Sequence, residues 1–183
     1  MNHLELRDEL LRMASTDQDA RRRLEEHPRL LDGVPVQDLS ATERQTLDHL
    51  QAVDAANTAR MKAIIAAHGW PGRHLVGSDG AEAAWLLIQH ADQDPTFQRT
   101  SLALLSASVQ AGDADSTHEA YLTDRVLLAE GNQQLYGTEF RLADDGSWQP
   151  QPLADADHVD TRRRQSGLEP LDDYRKRFGP PRQ

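Results

Sequence analysis

The chain has 183 residues, of which 38% are hydrophobic and 27% charged, with a formal net charge of −10 and no cysteine. That length suits one domain with a real core. The acidic balance disfavours nucleic acid or an anionic membrane as partner, since phosphate binding depends on Lys and Arg. Without cysteine, disulfides, thiolate zinc sites, iron–sulfur clusters and a cysteine nucleophile are excluded. The start, "MNHLELRDELLRM", carries charges throughout, and no window approaches the roughly 20 apolar residues that span a bilayer, so a cytoplasmic protein is expected.

In chain order, Leu4, Leu6, Leu10, Leu11 and Met13 have near-helical spacing, and a second helix is expected from Asp17 to Glu26, capped by Ser15, Thr16 and Asp17 and stopped near Pro28. Ser40 caps a long helix over 41–68 that ends at Gly69, with Pro71 beyond. Its apolar stripe, Leu47, Leu50, Val53, Met61 and Ile64, takes in Asn57 and passes beside Asp54. A turn-rich loop with a short extended piece at 74–76 leads to a central helix over 79–92, apolar almost all round. Asp94 and Pro95 start a helix running to Gly112, and Ser116 caps another over 117–130. The pattern then alternates with period two, predicting a hairpin over 132–153 that turns at Asp145 and Gly146, followed by helices over 157–165 and 171–178. The expectation is a mainly helical single-domain fold with a small β-hairpin. It comprises an N-terminal arm at 1–39, a core at 40–178 and a disordered tail at 179–183.

The most apolar run ends in polar groups, "WLLIQHADQD". His90, at the end of the central helix, is the candidate general acid or base, because imidazole serves either role near neutral pH. Asp92 and Asp124 are the carboxylates expected to orient or charge it; Asp124 shares a helix face with Tyr121 and Leu128. Arg60 or Arg125 would hold an anionic group, and Asp54, Asn57, Gln89, Gln134 and Tyr136 would line the substrate pocket, with Gln134, Tyr136 and Thr138 on one side of a strand. The structural alternative is that these groups form hydrogen-bonded pairs inside the fold. His and Asp together could also hold a divalent metal, but their spacing matches no named metal motif, and no cofactor motif is visible. Arg162, Arg163 and Arg164 read as a solvated face, with an anion-binding arginine as the sharper alternative.

Several blocks together are familiar: Asp54 with Asn57 and Arg60, "IIAAHGWP", "VGSDGAEAAWLLIQHAD", "AYLTDRV", "EGNQQLYGTEF" and "VDTRRRQSGLEPLDDY". They resemble, over about Leu47 to Tyr174, the bacterial domain of unknown function family numbered 6624, with Glu139 standing where Gln is expected. The resemblance implies one recurring pattern through "QHAD", "DRV" and "YGT" and no transferable activity, and it leaves the N-terminal arm outside as an addition. The functional expectation is a cofactor-independent acid–base enzyme, of hydrolase or lyase type, acting on a small polar or anionic metabolite. The rivals are a non-catalytic binding or interaction protein with a buried polar network and a metal-dependent hydrolase.

Overall fold

The structure is a computed structural model that describes residues 3–31, 34–143 and 146–178. It is mainly helical with a two-stranded antiparallel hairpin, and it divides into two compact units, Met1–Phe97 and Gln98–Gln183. No helix among the described residues is long and apolar enough to cross a membrane.

In the first unit, α1 (His3–Glu25) is one continuous helix, where two had been expected. The Ser15–Thr16–Asp17 cluster does not cap a new helix. The Thr16 hydroxyl instead donates to the Arg12 carbonyl one turn back, which a helix tolerates, and Asp17 faces inward. α2 (Pro28–Leu31) is a single turn. α3 (Ala41–His68) has the expected bounds because both ends carry local signals: Ser40 and Glu43 form a reciprocal capping box, and Gly69 closes the C-terminus. α4 (Arg73–Gln89) begins earlier than expected. Residues 74–76 are helical, not extended, and are joined to the rest across Gly77, whose φ of 74° interrupts the helix.

The N-terminal helix is no detached arm, since α1 packs on α4 and α3. Leu6 and Leu10 of α1, Met61 and Ile64 of α3, and Ala84, Leu87 and Ile88 of α4 are all almost completely buried. Each buried Leu, Ile or Met contributes about 1.5–3 kcal/mol, so this core, and not helix propensity, sets the position of α1. Ion pairs lace its edges: Arg7 with Asp79 on α4 and Glu9 with Arg60 on α3.

In the second unit, α5 (Pro95–Gln110) and α6 (Ser116–Ala129) bury Leu105 and Leu122. The cap of α6 is Asp115, whose carboxylate accepts from Thr117; Ser116, the expected cap, lies inside the helix. The hairpin is narrower than expected. β1 (Phe140–Leu142) pairs with β2 (Trp148–Pro150), with Phe140 opposite Pro150 and Leu142 opposite Trp148. Asp145 of the expected turn and the 179–183 tail lie outside the described residues. The chain closes with α7 (Val159–Gln165) and α8 (Leu171–Arg175), and Phe140, Trp148, Tyr174 and Phe178 pack their rings together.

Candidate functional site

His90 is the residue at which α4 stops, with φ −90° and ψ 5°, and its ring meets α1. Asp17 lies two turns after Leu10 and one before Ala20, on the buried stripe of α1, so the packing that seats those apolar residues also carries a carboxylate inward. Its Oδ2 lies 2.8 Å from His90 Nδ1. Arg21, one turn further along α1, donates from Nε to the same His90 nitrogen at 2.9 Å and to Asp17 Oδ2 at 3.3 Å. Its other end donates to Asp54 Oδ1 of α3 at 2.9 Å. α1, α3 and α4 thus each contribute to one cluster.

The arrangement around Nδ1 has a chemical consequence. When that nitrogen carries a proton it donates to Asp17, and when it does not it accepts from Arg21. The ring is held in place in either tautomer, and Nε2 is the atom left for proton transfer. The carboxyls differ in proton affinity. Burial works against the charge of Asp17, but the His90 hydrogen bond and charge, with Arg21 and Gln18, outweigh it and hold the carboxyl below the usual aspartate value. At Asp54 burial prevails, aided by Asp17 and Asp92 against Arg21, and pushes the carboxyl up.

The expected site residues divide between the units. Asp54 and His90 come together in the first, while the charge of Asp92, exposed at the start of the exit loop, reaches Asp54. Gln89 and Asn57 are buried nearby in sequence, and no partner for Asn57 Nδ2 is found among the described residues. Arg60 is not a free anion holder, because both its Nε and a terminal nitrogen donate to Glu9, at 2.6 and 2.8 Å. The carboxylate orienting His90 is Asp17, which the sequence reading missed together with Arg21. The signal was there, a carboxylate on the apolar stripe of α1, but which ring it would meet is a tertiary fact.

In the second unit, Asp124 pairs with neither arginine nor histidine among the described residues. Its oxygens accept from the backbone N–H groups of Leu135, Tyr136 and Thr138 and from the Thr138 hydroxyl, at 2.7–3.2 Å. Gln134, Tyr136 and Thr138 are therefore on a loop wrapped around a carboxylate, not on a strand. The Gln134 side chain is buried, donating to the Glu139 and Gln151 carbonyls and accepting from Glu139 N–H. Arg125 donates to Glu139 at 2.9 Å. Of the arginine run only Arg164 is exposed: Arg162 donates to the Leu135, Ala154 and Asp155 carbonyls, and the fully buried Arg163 to those of Tyr136 and Glu169. Among the described residues, no group of three or more His, Asp or Glu side chains is arranged to hold a metal ion.

Comparison with protein families places these features in a shared chain. A model described as a family of unknown function (DUF6624) matches residues 4–179. The chain belongs to this family. The match takes in α1, so the N-terminal helix is part of the family's common region and not an addition, and Asp17 lies within it alongside His90. Neither the comparison with curated proteins nor that with solved structures gives a match.

Proposed function

We propose that this DUF6624 protein is a small acid–base enzyme, of hydrolase or lyase type, that acts on a small polar metabolite through His90. Asp17 orients the imidazole, Arg21 holds its other tautomer, and Asp54 is the carboxyl whose proton affinity burial raises. The observation supporting this reading is the Asp17 contact at Nδ1: a ring that donates from Nδ1 to Asp17 keeps its place whether Nε2 is bare or protonated, and Arg21 holds the tautomer in which Nδ1 is bare. Carboxyls pushed apart in proton affinity fit the same division of labour.

The second reading is a non-catalytic protein whose polar cluster fixes α1 on α3 and α4, favoured by the way Arg21 ties all three helices. The two are separated by screening wild type, His90→Gln and Asp17→Asn against ester, amide and elimination substrates while following melting temperature. The enzyme reading expects turnover that falls at least about a hundredfold in His90→Gln with little change in melting. No turnover in wild type, with both variants melting far lower, would establish the network reading instead.

A further inference from the structure

We infer that the Asp17–Asp54 side of this site receives a cationic hydrogen-bond donor, a primary ammonium or guanidinium group, and not an anion. The inference names the ligand class of the site proposed above and rests on that reading for what is then done to the ligand.

The first ground is an oxygen. Asp17 is fully buried and its two oxygens are treated very differently. Oδ2 is crowded by Gln18 Nε2 at 3.0 Å, Arg21 Nε at 3.3 Å and His90 Nδ1 at 2.8 Å. Oδ1 is buried as well and has no donor among the described residues. A buried acceptor left unmade costs about 1–3 kcal/mol, more for a charged group, and an incoming N–H would recover it.

The second ground is charge. Among the described residues, Asp17 and Asp54 share a single permanently charged partner, Arg21, and that guanidinium also meets the His90 ring. The two arginines that sequence suggested for an anion, Arg60 and Arg125, are each paired with a glutamate. An anion entering here would meet carboxylates; a cation would balance them. The side chains of Asp54, His90 and Arg21 remain 13%, 17% and 25% exposed and form the solvent-facing part of the cluster, whereas Asp17 is fully buried.

The test uses two isosteric probes of opposite charge, propylammonium and propionate, titrated into the full chain and followed by NMR. Propylammonium is expected to bind saturably, perturbing signals around residues 17–21, 54 and 90, at least about tenfold more tightly than propionate. Asp54→Asn should weaken it about tenfold and the exposed Asp92→Asn by less. The wild-type preference needs no variant to fold. Propionate binding as well as or better than propylammonium overturns the inference, as does propylammonium affinity unchanged in both variants. Either result leaves His90-dependent turnover standing, whereas lost turnover with ammonium binding retained overturns only the acid–base reading.

Discussion

Asp17 and Asp124 are both completely buried carboxylates on helices, one in each unit, and they are held in opposite ways. Asp124 uses both oxygens on three backbone N–H groups and a hydroxyl from one four-residue stretch. Every donor is fixed by the chain itself, and the carboxylate serves as the mould on which that loop sets. Asp17 is met by side chains, two of them able to carry charge, and all of them on one oxygen. The difference separates a carboxylate whose work is finished when the protein has folded from one left with capacity to spare. Burial alone would have ranked the two as equals.

The largest expected effect lies at Asp124. Asp124→Ala leaves its donors buried without an acceptor, and should destabilise the second unit by about 3–5 kcal/mol in urea unfolding. Hydrogen exchange should show protection lost at the amides of Leu135, Tyr136 and Thr138. Arg163→Lys comes next, at about 2–3 kcal/mol, because an ammonium cannot reach the Tyr136 and Glu169 carbonyls together. Asp17→Asn should cost less, about 1–2 kcal/mol, since the new amide NH2 can occupy the Oδ1 position, where no donor stands against it. If it costs as much as Asp124→Ala, the distinction between the two carboxylates is wrong.

Acid sharpens the comparison. Asp17 has a depressed folded value, so its contribution is complete above the ordinary 3.8 and is lost as pH falls through the folded value. The melting-temperature gap between wild type and Asp17→Asn should therefore be widest near neutrality and close as pH drops below 3.8. Asp54 runs the other way: its ionised form is disfavoured, so its contribution weakens as pH rises from the ordinary 3.8 through its raised folded value. The smallest effect is at Tyr174, where burial and a hydrogen bond with Tyr121 push the phenol up. Its stabilisation is present below the ordinary value of 10 and declines as pH rises beyond it. Tyr174→Phe should remove that alkaline slope and cost about 1 kcal/mol at neutral pH through the lost bond to the Thr138 carbonyl.

What could be seen in the sequence followed from how local its cause was. α3 matched at both ends because Ser40, Glu43 and Gly69 act within a few residues of themselves. The hairpin was placed but drawn too wide. Alternation continues through "QQLYGTEF", yet Asp124, on the preceding helix, turns those residues into a loop. His90 stood out because a polar residue ending an apolar helix is a local contrast. Asp17 did not, because Ser15 and Thr16 beside it read as the start of a helix, and its partner lies 73 residues away. Arg163 shows the same limit. Three adjacent arginines look like surface, and only the carbonyls of a loop 27 residues earlier explain why one of them is sealed inside.

That loop has an implication for how the chain is made. Its N–H groups turn to Asp124, already synthesised, but its carbonyls at Leu135, Tyr136 and Gly137 turn to Arg162 and Arg163, which are not. Leu171 then comes to rest against Gly137, where φ is 69° and a side chain would lie 2.9 Å from the leucine methyl. A nascent chain leaving the ribosome can complete α3 and α4 early, but the second unit has to wait with polar backbone exposed until α7 and α8 emerge. During that interval its unmet carbonyls and uncovered aromatic residues are open to a chaperone or to aggregation, so the vulnerable stage of synthesis lies between the emergence of Leu135 and that of Leu171.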